Sequence, residues 1–189
     1  MKRNKLFPPP RPFDASDSAA VAAVFQTHIY PALQWVVRSI EVHGGRGSSA
    51  FFSRLRLPFR GWEAPYPETT GYLIETLFDY APHTGWERLA DLARGCADWL
   101  CDIQMADGAF PALFADSKKP SVFNTGQIIF GLVRAFEESG NEKYRSAFRA
   151  AAEWMARQTL PDGQWHGANY VPGFVPAYHT RAVWPMLVA

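Results

Sequence analysis

The sequence predicts an all-α fold, an α/α toroid in which amphipathic outer helices cover buried inner ones. Three observations lead there. The first is a set of features that recur 55 residues apart: Trp99 as Trp154, Asp107-Gly108 as Asp162-Gly163, Phe110 as Trp165, Gly85 as Gly140, and Thr70 as Thr125 and Thr180. Five features in one register point to an array of like units. The second is that amphipathic and almost wholly apolar helical segments alternate along the chain. The third is that no segment carries sustained strand alternation.

Taken in order, residues 1–16 read as an extended Pro-rich arm, since Pro8, Pro9, Pro10 and Pro12 favour open backbone. The arm is basic but has no apolar stretch of the kind a secretory signal needs. Residues 17–189 read as one partial toroid domain. Residues 17–41 carry a helical pattern that Pro31 should kink. Residues 86–104 form the clearest amphipathic helix, with Leu89, Leu92, Ala93, Cys96, Trp99, Leu100 and Ile103 on one face. Residues 142–158 repeat it through Tyr144, Ala147, Phe148, Ala151, Trp154 and Met155.

The helices starting near Glu68, Asn124 and Thr180 leave little polar face, so protein should surround them. They are expected over residues 68–80, 124–138 and 179–189. Three outer and three inner helices make about half of a ring of six hairpins. The chain stops in an apolar run, Trp184 to Ala189, which reads as a truncated ring or as a half-ring closed by self-association. Val183, Trp184, Leu187 and Val188 should then be exposed, an arrangement that favours a homodimer.

The 189 residues allow one sizeable core, and an apolar content of 48% argues against disorder. The formal net charge of +1 gives no general attraction to nucleic acid or to an anionic membrane. No apolar run approaches the roughly 18 residues of a membrane span. A soluble cytoplasmic protein is the expectation. Cys96 and Cys101 point in different directions on one helix, which disfavours a mutual disulfide and suits small core hydrophobes. The five histidines show no metal-ligand spacing, and no cofactor is implied.

The loops carry the functional signal. Inner-to-outer turns are short, at residues 82–85 and 140–141. Outer-to-inner connections are long, at residues 42–67, 105–123 and 159–178, and long ordered loops are usually functional. Like units place all three on one face, where the inner helices also begin. Unpaired N–H groups and positive dipole ends gather there, suited to carboxylate, phosphate or sulfate. The first long loop holds Arg46, Arg54, Arg56 and Arg60 with Phe51, Phe52, Phe59, Trp62 and Tyr66. The arginines suit an anion or a solvated loop. The aromatics either pack the loop down or stack on sugars.

Pro65-Tyr66-Pro67-Glu68-Thr69-Thr70-Gly71-Tyr72 is the sharpest motif. Pro67 and the hydroxyls can start and cap a helix. Glu68 suits the dipole there, or serves as an acid or base in a cleft. The dipole should hold its pKa down, favouring a base or a binding carboxylate over a general acid. The two Asp-Gly pairs read as turn chemistry, each with a following aromatic that plugs the hairpin end. Asn124-Thr125-Gly126-Gln127 and His179-Thr180-Arg181 open the other inner helices, and Asn124 or His179 can cap or face the cleft.

Together Gly61-Trp62, the Pro65 to Tyr72 motif, Gln104 with Asp107-Gly108-Ala109-Phe110-Pro111, Pro120 to Gln127, and His179-Thr180-Arg181 resemble one bacterial α/α-toroid family. Its members sit with exopolysaccharide-biosynthesis proteins of the VpsJ-like type, and some carry prenyltransferase-like or dehydratase labels. The resemblance runs from about residue 17 onward. It implies a six-hairpin toroid akin to six-hairpin glycosidases, polyuronate-acting enzymes and terpenoid cyclases. It points to Glu68, Tyr72, Asn124, Gln127, His179 and Arg181 as the site. The Asp-rich motif of terpenoid cyclases, the zinc ligands of prenyltransferases and the lysine-bearing barrel of the dehydratase have no counterpart here.

The resulting expectation is a carbohydrate-active or glycan-binding protein of extracellular polysaccharide production, acting on an acidic glycan or glycosyl donor by hydrolysis, elimination or epimerisation. Glu68 would be the acid/base and His179 its partner. Trp62, Tyr66, Tyr72, Asn124 and Gln127 would bind substrate, with Arg46, Arg56 and Arg181 as anion anchors. The alternatives are a non-catalytic glycan-binding scaffold and an isoprenoid-processing toroid.

Overall fold

The computed structural model describes residues 22–55, 61–171 and 173–189; the Pro-rich arm lies outside them. The chain divides into two compact units, Met1–Val36 and Val37–Ala189, and the site described below lies wholly in the second. The protein is mostly α-helical. Among the described residues its only sheet is a two-stranded hairpin in the first long loop.

A π-helical turn, Phe25–Ile29, leads into α1, Tyr30–Glu41. Proline at position 31 supplies no N–H and crowds the preceding turn. The chain answers with a wider turn, in which the Tyr30 N–H donates to the Phe25 carbonyl. Strands β1, Phe52–Ser53, and β2, Gly61–Trp62, pair antiparallel with Phe52 opposite Trp62. The hairpin was not foreseen, because two residues are too few to show alternation.

Helix α2 spans Pro67–Thr84, α3 Arg88–Ile103, α4 Val122–Ser139, α5 Glu142–Gln158 and α6 Thr180–Val188. Helix α3 packs on α2 and α5 on α4, while α4 also packs between α2 and α6. The apolar faces read from the sequence are the buried ones. Leu89, Leu92, Ala93, Cys96 and Leu100 of α3 and the six predicted residues of α5 are all removed from solvent. Each buried leucine contributes roughly 1.5–3 kcal/mol.

Contacts between the inner helices advance in step. Gly71 lies against Ile128 and Asp79 is ion-paired with Arg134; Phe123 meets Tyr178, Gly126 lies against Ala182 and Phe130 meets Trp184. Helices α2, α4 and α6 therefore run parallel, and their N-termini share one end. Glycine permits the close approach: a Cβ on Gly71 would stand 2.8 Å from the Ile128 Cα. Helix α4 is covered almost all round, whereas α2 keeps Glu75 and Asp79 in solvent. On α6, Val183, Trp184, Leu187 and Val188 are exposed.

Positions 55 apart share local geometry. Gly85 and Gly140 end α2 and α4 with φ of 64° and 65°. At the Asp107 and Asp162 turns, the carboxylate accepts the N–H two residues on, at 3.1 and 2.9 Å. Met105 N–H donates to the Ala109 carbonyl, as Leu160 N–H does to that of Gln164. The following aromatics, Phe110 and Trp165, are buried.

Candidate functional site

The long connections meet the N-termini of α2, α4 and α6. Pro67 starts α2, and its missing N–H is one the helix would leave unpaired anyway. No side chain caps this end; the Thr69 and Thr70 hydroxyls instead donate back to the Tyr66 carbonyl. The Thr70 oxygen also accepts the Ser48 N–H at 3.0 Å, docking the first long loop. At α4 the cap is Ser121, which accepts the Asn124 N–H. Neither Asn124 nor His179 caps its helix through its side chain.

Glu68 sits half-buried in the first turn of α2. Its carboxyl interacts with the Arg181 guanidinium, and it raises the proton affinity of Tyr66, Tyr72 and Tyr178. It thus lies within electrostatic reach of groups at two helix starts, those of α2 and α6. The Arg181 guanidinium carbon lies 5.2 Å from the centre of the Tyr72 ring, a cation–π stack. The expectation of a depressed Glu68 pKa is corrected. Burial pushes the carboxyl above its ordinary value, and Arg181 only partly opposes it.

A second set of groups braces this cluster. The Tyr66 and Tyr170 hydroxyls lie 3.2 Å apart, and the Tyr170 hydroxyl donates to Asn124 Oδ1 at 2.5 Å. Asn124 is fully buried, and its Nδ2 donates to the Pro111 carbonyl at 3.0 Å. The third long loop is thereby tied to α2 and α4. Burial, first, and the hydrogen bond to Tyr170 raise the Tyr66 pKa, with Asn124 opposing.

Gln127 is completely buried, and neither amide atom has a hydrogen-bond partner. His179 is nearly as buried, with Nδ1 unpaired and its ring edge-on to Trp165 and Tyr178 at 5.9 and 5.4 Å. Burial lowers its pKa. No hydrogen bond or ion pair joins it to Glu68.

Trp62 and Arg46 have partners of their own. Trp62 packs edge-on against Phe52 at 5.0 Å within the hairpin. Arg46 is ion-paired with Asp102 on α3, which also binds Lys143. Its charge is shared with Asp102 in an ion pair exposed to solvent. Arg56, Phe59 and Arg60 fall outside the described residues. Both cysteines are free, with burial pushing Cys96 up to about 12 and Cys101 to about 11, so neither offers a thiolate at neutral pH. Among the described residues, no group of three His, Cys, Asp or Glu side chains could hold a metal.

Tyr170 was missed altogether, and Tyr178 was noted only as part of a motif. Tyr170 sits in an aperiodic loop 46 residues from the asparagine it binds. Its aromatic character does not mark it, since the same loop holds Trp165, Phe174 and Tyr178.

No protein-family model, curated protein or solved structure matches this chain. The site is therefore argued from its own chemistry.

Proposed function

We propose that this chain is a glycan-binding protein of extracellular polysaccharide production, a hairpin toroid of the VpsJ-like type, with its site around Glu68. The observation that carries this reading is the Arg181 guanidinium stacked on the Tyr72 ring, with half-buried Glu68 within electrostatic reach of Arg181, Tyr66, Tyr72 and Tyr178. Tyrosines offer flat faces to sugar C–H groups and hydroxyls to sugar oxygens. The parallel inner helices and the geometry shared at 55-residue spacing support the toroid.

Chemistry at this site centres on Glu68. A carboxyl with raised proton affinity suits proton donation to a leaving or enolising oxygen. Two-carboxylate hydrolysis finds less support, because among the described residues no second acid figures in the electrostatics of Glu68. Binding, with proton transfer by Glu68 where a reaction occurs, is therefore preferred to glycoside hydrolysis.

The test is titration of the protein with soluble polysaccharides, followed by product analysis. Tyr72→Ala should weaken binding at least about tenfold, the loss expected for a stacking anchor. Glu68→Gln should abolish any turnover while leaving the melting temperature nearly unchanged. Failure to bind any glycan would overturn the reading; binding without turnover in the native protein would leave it a pure binding module.

A further inference from the structure

Resting on the glycan reading above, we infer that the site is a groove along the inner helices, built for a chain of several sugars, with Trp184 as a second aromatic platform beyond the Glu68 end. Glu68, Phe123 and Tyr178 stand 55 apart, near the starts of α2, α4 and the turn that leads into α6. Phe123 meets Tyr178 with ring centres 4.7 Å apart. About one turn on, Arg181 of α6 stacks over Tyr72 of α2. Helix α4 lies between those two helices, so the stack passes over α4. Gln127, which follows Phe123 by one turn on α4, is fully buried. Another turn on, Phe130 meets Trp184 at 5.5 Å, and beyond it Arg134 pairs with Asp79. Positions 123, 130 and 134 share one side of α4. From Val122 to Leu132, only Phe123 and Phe130 of that helix are not buried.

The two aromatic pairs are thus separated by about 10 Å along the helix, more than one sugar ring spans. Tyr178 is 47% exposed and Trp184 55%. Each is held edge-on by a phenylalanine, at 75° and 84°. The exposed rings are therefore fixed before a ligand arrives and lose little freedom on binding. Charged groups separate the platforms: Glu68 at the first end and the Arg181 guanidinium between the pairs. An apolar protein segment laid here would strip water from these groups without pairing them. A glycan chain offers flat C–H faces to the rings and hydroxyls to the charges, in alternation along its length.

The test is calorimetric titration with the disaccharide, tetrasaccharide and hexasaccharide of a soluble β-glucan. Affinity should rise at least about tenfold from the shortest to the longest, the gain from one good aromatic anchor. Trp184→Ala should remove most of that gain while leaving disaccharide binding and the melting temperature unchanged. Hydroxyl-radical footprinting of the native protein checks the same point without a variant: the hexasaccharide should shield Trp184 and the disaccharide should not. Affinity that does not grow with length, growth that survives Trp184→Ala, or a Trp184 left unshielded would overturn the inference and leave the glycan reading intact. So would a Trp184→Ala change that only dissolves a dimer, which would hand this face, with its exposed neighbours Val183 and Leu187, to a second copy. Binding of neither the fragments nor the parent polymer would overturn both.

Discussion

The two ends of the helical layers solve the same problem differently. At the short-turn end, α2 and α4 finish in left-handed glycines, Gly85 and Gly140, and each turn is closed by its own backbone and a nearby hydroxyl. At the long-connection end, polar groups are buried in numbers: Thr70, Ser121, Asn124, Thr125, Gln127 and His179. Some of these are paired across the chain, and two carry unpaired atoms. The only non-glycine residues with left-handed backbone among the described ones, Leu113 and Ala168, lie in the long connections. Such positions cost about 1 kcal/mol or more each and persist only where the surroundings enforce them. The long-connection end retains costs that folding does not require, and that contrast supports placing the proposed site there.

The largest effect should come from closing the gap between inner helices at the long-connection end. Gly71→Ala would place a Cβ 2.8 Å from the Ile128 Cα and 3.1 Å from the Gln127 carbonyl oxygen. Both are backbone atoms and cannot step aside alone. A loss of about 3 kcal/mol, at the upper end for overpacking, is expected in urea unfolding. A neutral result would mean that the helices separate easily and do not hold the site's geometry.

How much of this was readable in advance differs between the ends in the same way. Helix α3 was placed within two residues at each end because Leu89, Leu92, Cys96, Trp99 and Leu100 state its period directly. Glu68 and Arg181 were legible as helix-start residues because each opens a helix whose apolar run is unmistakable. The Tyr66–Tyr170–Asn124 chain was not legible, since a long-range hydrogen bond leaves no periodic trace. The Glu68 pKa was misjudged for a related reason. The helix start is local and visible in sequence, whereas the burial that outweighs it comes from distant segments.

Gln127 offers a sharper test of whether the long-connection end trades stability for function. Gln127→Met keeps the volume and removes both unpaired amide atoms. Stability should rise by about 1–2 kcal/mol, the usual cost of an unpaired buried amide. A loss of stability would show that the amide is satisfied after all. At the short-turn end, Gly140→Ala meets no atom within 4 Å but must keep a φ of 65°. It should cost about 1 kcal/mol, from backbone conformation alone. Were it to cost as much as Gly71→Ala, the contrast between the two ends would disappear.

The smallest expected effect is a pH dependence that isolates Glu68. Its folded pKa lies above the ordinary 4.5, so between these values the folded state holds more protons than the unfolded one. Its contribution to stability therefore falls as pH rises from about 4.5 through the raised value. The slope should stay well under the limiting figure of about 1.4 kcal/mol per pH unit, because the group is only half-buried and solvent screens it. His179 and His43 act in the opposite sense. Burial lowers both below 6.5, so stability rises with pH through the interval beneath that value. The two trends overlap in the wild-type protein, and Glu68→Gln separates them. The variant should show only the rising histidine limb, and wild type minus variant should decline from about pH 4.5 upward. A difference that instead climbs with pH would mean that Arg181 and the helix end dominate over burial. Glu68 would then be a base or binding carboxylate, and its role as proton donor would fall.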